Sequence, residues 1–351
     1  MSLTLDVPQD ARAGSDFTAL CRRVRAAGLL ERRYGSYAAR FAATIAAFTA
    51  AWVAFLWLGD SWFQLIVAAA LGVLFTQVAF MGHDSGHRQV LTSRRGNDLL
   101  TIVSGNLLVG LSYEWWVDKH NRHHAHPNHE GQDPDIGEGV LAFTQAQVAR
   151  RNGPVSRFVT RNQAALFFPL LTLEGLNLHV ASVRFLLSRS AAQTRYRRLE
   201  IVLFALHAVA YLGGLLLVLD PVKAVAFFGV HQAVFGLYMG SAFAPNHKGM
   251  PTVAQGVKTD FLRRQVLTSR NVRGGWFTDL LLGGLNYQVE HHLFPNMPRP
   301  NLRRAQAIVR QYCAERSILY TETSLFGSYA MALRHLHALG APLRRAAAVA
   351  G

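Results

Sequence analysis

Three short clusters of histidine are the residues of this chain best suited to chemistry. On an α-helix, residues three and four positions apart share one face, so histidines at that spacing can point at one site. Imidazole binds iron, copper, zinc and nickel. The spacing therefore predicts seven metal ligands, which read His83-Asp-Ser-Gly-His87, His120-Asn-Arg-His123-His124 and Gln288-Val-Glu-His291-His292.

The number of histidines indicates two metal ions. A tetrahedral zinc site uses at most four protein ligands, and seven histidines exceed that number. His247, in Pro-Asn-His-Lys-Gly, is a further candidate that would allow four ligands per metal. Metal-bound imidazoles usually donate their second N–H to a carboxylate or carbonyl. We expect Asp84 and Glu290 to accept such bonds, whereas Asp133 and Asp135 fit that role and a turn equally well.

The other histidines are predicted to lie outside the metal site. Single histidines are more often structural or surface residues than ligands. His126 and His129 follow the second cluster, but Pro127 breaks the helix before they can share its face. The remaining histidines lack cluster spacing and are His179, His207, His231, His335 and His337.

The composition indicates a membrane protein of one domain, residues 1–351. Half of the residues are hydrophobic and only 16% are charged, whereas soluble domains carry about a quarter. The sequence contains no Pro/Gly/Ser-rich linker and no internal repeat. The two cysteines, Cys21 and Cys313, lie in no motif, which excludes a disulfide framework and a cysteine-based metal site.

Four apolar segments are long enough to cross a bilayer, which requires about 20 residues. Asp60-Ser61 and Asp220-Pro221 interrupt them in pairs, so we expect two helical hairpins in an all-α integral membrane fold. Residues 98–113 and 164–187 are predicted to lie in the interface or in a cytosolic helical cap that holds the two metals. The four predicted spans are 38–59, 62–82, 199–219 and 222–245.

The distribution of basic residues predicts the orientation. Of the 36 lysines and arginines, seven lie at or before Arg40, fourteen between residues 83 and 198, and fourteen after residue 246; only Lys223 lies beside a hairpin turn. The positive-inside rule then places both termini and every histidine cluster in the cytoplasm. We expect residues 1–36 to be cytosolic and 338–351 to be a mobile tail. Because the cations follow the topology, nucleic-acid binding is not expected.

With these residues in place, the chain resembles the membrane fatty acid desaturases. The three clusters match the histidine boxes of that family in order, the third in its Gln-led form. The resemblance implies a non-haem di-iron centre, O2 as oxidant and a fatty acyl substrate carried by coenzyme A or a lipid. It also implies that His247 is a ligand with Asn246 beside it, and that Gln288 acts through water or orients a neighbour.

The resemblance also has consequences for partners. Many eukaryotic members carry a fused cytochrome b5 domain with a His-Pro-Gly-Gly motif, which does not occur here. A separate electron donor is expected, such as a ferredoxin with its reductase, at a bacterial cytoplasmic membrane. Trp116, Lys119 and Arg122 adjoin the second cluster and are candidates for contact with a head group or donor, although interfacial anchoring explains them equally well.

Two other functions are compatible with parts of the pattern. A di-iron membrane hydroxylase of alkanes, lipids or carotenoids would use similar boxes, but the Gln-led third box favours a desaturase. A histidine-rich transporter or a haem electron carrier would place histidines within its spans near the midplane. The clusters lie beyond the predicted span ends, which disfavours both of the latter.

Overall fold

The computed structural model describes residues 13–350, most of which are helical. Two short strands, β1 (Asn271–Arg273) and β2 (Glu322–Ser324), pair in parallel. A π-helix covers Val103–Val109. The α-helices are α1 (Ala13–Ala26), α2 (Tyr34–Leu58), α3 (Gln64–Gly86), α4 (Arg94–Ile102), α5 (Tyr113–Ala125), α6 (Gln145–Ala149), α7 (Pro154–Leu171), α8 (Glu174–Leu187), α9 (Arg197–Val218), α10 (Pro221–His247), α11 (Phe261–Leu267), α12 (Trp276–Leu281), α13 (Gln288–Leu293), α14 (Arg299–Glu315) and α15 (Leu325–Ala350).

Four helices of the described chain, α2, α3, α9 and α10, are long and apolar enough to cross a membrane. Their bounds agree with the predicted spans to within a few residues at most ends. Two helices continue past the predicted span ends at 82 and 245, since α3 ends at Gly86 and α10 at His247. Polar residues end an apolar run without ending a helix, so both helices carry metal-ligand candidates beyond their apolar parts.

The helices α3 and α10 form the inner pair of this bundle. A Cβ atom on Gly72 would lie 2.9 Å from the carbonyl oxygen of His231, so only glycine allows the two backbones to approach this closely. Phe75 and Phe235 are buried beside this contact. Large apolar side chains on α2 and α9 are instead exposed, among them Trp57 and Leu217, as expected of helices that face lipid.

Two single histidines bind backbone groups that the π-helix leaves without helical partners. The His207 Nδ1 atom lies 2.9 Å from the Leu107 carbonyl oxygen, and His179 Nε2 lies 3.0 Å from that of Val109. Gly110, with φ of 77°, ends the π-helix against both rings. Unpaired backbone groups are costly at membrane depth, so these contacts stabilise the irregular segment.

The segment 164–187, expected to form one interfacial or cap helix, is divided between two helices. α7 and α8 meet at an angle of 80°, a bend compatible with a broken span or a re-entrant loop. A Cβ atom on Gly236 would lie 2.5 Å from the Gly175 nitrogen, which places the start of α8 directly against α10.

The segment 338–351, predicted to be a mobile tail, is helical over its described part, because helix α15 continues to Ala350. Leu339 is buried with Ala142 and Val148, and Leu336 is buried with Phe167. The Arg/Ala-rich composition concealed an apolar face at helical spacing, which packs against α6 and α7.

We predict that Gly110→Ala destabilises the protein. A Cβ atom there would lie 2.6 Å from His207 in a left-handed backbone conformation. Conformational strain and overpacking together should lower the free energy of unfolding by about 2–4 kcal/mol. Thermal unfolding in detergent would measure the change. Gly139→Ala is the matched control, because no atom lies within 4 Å of its Cβ position; an equal loss in both variants would contradict the prediction.

Candidate metal centre

Four helices bring the eight predicted metal ligands to one place. The end of α3 carries His83 and is followed by His87, α5 carries the second cluster, α10 ends at His247, and α13 carries the third cluster. The Ser112 hydroxyl caps α5 by accepting a hydrogen bond from the Trp115 backbone N–H at 3.3 Å. The ligand candidates therefore lie at helix ends, where local spacing and helix packing together aim the rings.

The first set of four histidines, here called group one, has ligand nitrogens within 4.8 Å of one another; its members are His83, His87, His120 and His291. The Nε2 atoms of His87 and His120 are 2.8 Å apart. His83 and His291 are buried, whereas His87 and His120 are partly exposed. This separation suits four nitrogens around one metal ion.

The second set, group two, consists of His123, His247 and His292, whose ligand nitrogens also lie within 4.8 Å of one another. The Nε2 atoms of His247 and His292 are 3.1 Å apart. The side-chain amide of Gln288 lies beside these two nitrogens, with its Nε2 atom 2.9 Å from His247 Nε2. The buried Asn246 side chain donates from Nδ2 to the side-chain oxygen Oε1 of Gln288 at 3.2 Å.

His124 joins the two groups. Its Nε2 atom lies 3.1 Å from that of His120 in group one, and its ring stacks on His292 of group two at a centroid distance of 4.1 Å. The eight imidazoles therefore form one continuous cluster with two centres.

Buried ring nitrogens without a hydrogen-bond partner indicate that these histidines fit metal ions. A neutral imidazole has one donor and one acceptor nitrogen. The buried Nε2 atoms of His83 and His291 have no hydrogen-bond partner among residues 13–350. Burial, followed by the mutual repulsion of the rings, also holds imidazole pKa values well below their ordinary range, which leaves a lone pair free for a metal; this applies to His87, His120, His124, His291 and His292.

In each histidine of group two, the Nδ1 atom faces away from the shared centre and lies close to a protein oxygen; such a nitrogen is here called the outer nitrogen. His123 Nδ1 lies 3.0 Å from Asp133 Oδ1, and His247 Nδ1 lies 3.0 Å from the Thr268 carbonyl oxygen. His292 Nδ1 lies 2.9 Å from the side-chain oxygen of Gln265. Such contacts fix the tautomer and direct the other nitrogen inward.

Asp133 is the most connected of these partners. It is buried, and it also accepts hydrogen bonds from the backbone N–H groups of Asn128 and Asp135, at 2.7 and 2.8 Å. Although burial lowers the pKa of His123, the charges of Asp133 and Asp135 outweigh that effect and raise it. The Gln-Asp-Pro-Asp sequence therefore forms a turn and holds a histidine at once.

The two carboxylates expected to hold imidazoles behave differently. Asp84 Oδ1 lies 3.5 Å from His83 Nδ1. Glu290 points away from the cluster, contrary to expectation, and accepts hydrogen bonds from Asn271 Nδ2 at 2.7 Å and from the Tyr320 hydroxyl at 2.8 Å. Burial raises the pKa of Glu290 to about 7. A helix of one and a half turns presents neighbouring residues to different sides, so membership of the cluster did not ensure contact with it.

The three candidates for head-group contact are engaged with the protein itself. Trp116 stacks on His120, with ring centroids 4.6 Å apart. Lys119 forms an ion pair with Asp135 at 2.6 Å, and the exposed Arg122 pairs with Asp118 at 3.0 Å. Trp116 thus borders group one. Lys119 and Arg122 each form an ion pair with a carboxylate that sequence reasoning had not paired with them.

Sequence reasoning missed Gln265, Thr268 and Arg299 as partners of the cluster. They lie 21–215 residues from the side chains they contact, and no spacing rule connects such positions. His129, left out of the ligand set, binds the backbone oxygens of Glu130 and Val257 instead.

Comparison with known proteins agrees with this site. The family model for fatty acid desaturases matches residues 60–324. A Delta(5) fatty acid desaturase from Caenorhabditis elegans is 31% identical over 92% of this chain and 73% of its own length. An acyl-lipid (9-3)-desaturase from Physcomitrium patens is 29% identical over 87% and 59%, and a Delta(6)-fatty-acid desaturase from C. elegans is 30% identical over 77% and 63%. The chain spans about three fifths to three quarters of the length of these relatives.

We predict that Asp133→Asn weakens metal binding at group two. The amide cannot accept all three hydrogen bonds that the carboxylate receives, and loss of such partners typically lowers metal affinity about 10–100-fold. Competition with a chelator would measure the affinity of each metal equivalent. Asp118→Asn, on the exposed side of α5, is the control. Equal affinities of the two variants would contradict the role of Asp133.

Proposed function

The chain belongs to the fatty acid desaturase family, and we propose that it is an O2-dependent di-iron enzyme that introduces a double bond into a fatty acyl chain. The observation that carries this proposal is the convergence of seven histidines into two adjoining groups, with an eighth, His124, between them. Imidazole nitrogens suit iron, and the family match supports iron over the other metals that they bind.

Each group would hold one iron. Group one offers four imidazoles, and group two offers three with the Gln288 amide beside them. His124 adjoins both groups. Two bound irons would supply the activation of O2 that removal of hydrogen from an unactivated methylene requires.

The remaining work falls to side chains that position the acyl chain and exclude water. Trp116 lies 5.6 Å and Phe243 6.4 Å from the ring of His83, measured between centroids. We propose that these two apolar side chains border the reacting segment of the acyl chain beside group one. Trp116 also keeps His120 oriented by stacking. A dry, apolar boundary favours a hydrocarbon over water at the metals.

We propose that the ligand end of the bundle lies in the cytoplasm. The starts of α3 and α10 lie at the end opposite the histidines, where Lys223 Nζ lies 2.9 Å from Asp60 and the Asp220 backbone N–H donates to the same residue at 2.9 Å. These contacts support two adjacent hairpins whose turns face outward, with a cytosolic helical cap at the other end. The concentration of cations on the histidine side supports this orientation.

We further propose a substrate in which the chain is carried by coenzyme A or a lipid and is desaturated near its carboxyl end. Similar proteins are named Delta(5), Delta(6) and Delta(8) desaturases, and these numbers count carbons from the carboxyl group. Electrons would come from a separate carrier, such as a ferredoxin with its reductase. The net charge of +15 supports an acidic donor.

Expression in a host of known fatty-acid profile tests the activity. His124→Ala and His292→Ala should each reduce the new unsaturated product at least about 100-fold, because each removes an inward nitrogen. Gas chromatography of fatty acid methyl esters would measure the product. His337→Ala, at an exposed residue outside the cluster, is the control. Unchanged product from both cluster variants would refute the site.

The position of the new bond is a separate prediction. We expect it between the carboxyl group and any double bond already present, and mass spectrometry with double-bond derivatisation would locate it. The same host without the protein is the control. A hydroxylated fatty acid as the main product would instead support the hydroxylase alternative, and a bond near the methyl end would contradict the carboxyl-end proposal.

A further inference from the structure

Arg299, at the start of α14, is a buried cation beside the metal centre. Its side chain is only 5% exposed, and its Nη2 atom forms an ion pair of 2.6 Å with Asp84 Oδ2. The same nitrogen donates to the Phe80 carbonyl oxygen at 3.1 Å. The other oxygen of Asp84 lies 3.5 Å from His83 Nδ1. A chain of three side chains therefore leads from α14 to a ring of group one.

The backbone of Arg299 is also held by hydrogen bonds. Its N–H donates to the Tyr37 hydroxyl at 3.0 Å and to Gln89 Oε1 at 3.2 Å. Gln89 in turn donates to the Pro295 carbonyl oxygen at 2.8 Å. Through its own hydrogen bonds and that of Gln89, Arg299 thus connects α2, the segment after α3 and the segment between α13 and α14. Helix α13 carries the third histidine cluster.

Little space exists for Arg299 to move. A Cβ atom on Gly284 would lie 2.5 Å from its Cγ atom, and Gly284 has φ of 80°. The guanidinium also lies 5.7 Å from the centre of the Phe80 ring. The packing therefore fixes both the position of the guanidinium and the direction of its bond to Asp84.

Group one depends on the position of α3 relative to α13. His83 and His87 come from the end of α3, whereas His291 comes from α13, and its ring centroid lies 4.8 and 4.7 Å from theirs. In this group, among the described residues, only His83 has a protein partner for its outer nitrogen. Its geometry must therefore come mainly from the placement of the helices.

We propose that Arg299 is a positioning residue for the metal of group one, acting through Asp84 on His83 and through its backbone on the segment that carries His291. This inference rests on the proposed metal-binding function of group one, but not on desaturation. Removal of Arg299 alone would leave the Asp84 carboxylate buried without its cation, which is strongly unfavourable. Asp84 would then turn toward another donor and release His83.

A second arginine that pairs with a buried aspartate lies at the other end of the same helix. Arg316, directly after α14, forms an ion pair with Asp16, which is buried like Asp84. This pair contacts no histidine in the described chain. Arg316→Met therefore removes an ion-pair partner of a buried aspartate from the other end of α14 without touching group one, and it controls for the loss of an arginine from this helix. The Arg316 side chain is 40% exposed, and Asp16 keeps Arg263 as a second partner at 3.6 Å.

The test is Co2+ binding to the purified full chain in detergent, followed by visible absorption, which counts ligated sites without turnover. Wild type should bind two equivalents. Arg299→Met should bind one with unchanged affinity and the other about 10–100-fold more weakly, whereas Arg316→Met should resemble wild type. Asp84→Asn and the double variant should show a similar loss to Arg299→Met, because two residues of one relay are not additive.

Three results would overturn the proposal. They are two unchanged equivalents in Arg299→Met, the same loss in Arg316→Met, and losses of the two single variants that multiply in the double variant. If Arg299→Met does not fold, the double variant decides, because it has no unpaired carboxylate; its failure to fold would also count against a positioning role. Wild type that binds two equivalents but makes no unsaturated product would refute desaturation and leave this test valid.

Discussion

Eight imidazoles packed at ring distances of 4–6 Å are the constraint on which the rest of the structure depends. Protonated, they would repel one another in a buried site; neutral, they bring ring nitrogens within 2.8–3.1 Å of one another, where at most one nitrogen of each neutral pair can donate a proton if both are to bond. A buried polar atom without a partner costs about 1–3 kcal/mol. Metal ions remove that cost, so metal binding and the final packing of these helix ends should be thermodynamically coupled.

The transmembrane helices position the histidines through close packing rather than by supplying further ligands. The contact of α3 with α10 at Gly72 admits no larger residue, and it fixes the two spans that continue into the metal centre. Next to it, His207 and His179 bind the free carbonyl groups of the π-helix. The same residue type thus forms the candidate metal site at the helix ends and hydrogen-bonds irregular backbone between the helices.

The sequence predicted what depends on local spacing or composition. Histidines three and four apart define a shared face whatever the tertiary structure, and four apolar runs define four candidate spans. It did not predict partners set by tertiary packing, such as Gln265 for His292 or Arg299 for Asp84, because nothing local connects them. Glu290 shows the reverse error, since proximity in sequence suggested a contact that the short helix α13 directs elsewhere.

The two groups differ in how the outer nitrogens of their histidines are held, and this difference bears on the proposed function. In group two, the outer nitrogens of His123, His247 and His292 are all fixed by protein oxygens. Group one has partly exposed members and, within residues 13–350, a single such contact, made by the carboxylate that Arg299 holds. It is also the group walled by Trp116. The proposed desaturation requires a centre that a hydrocarbon can reach, and the partly exposed His87 and His120 make group one the more accessible of the two. Its geometry comes mainly from the helices behind it.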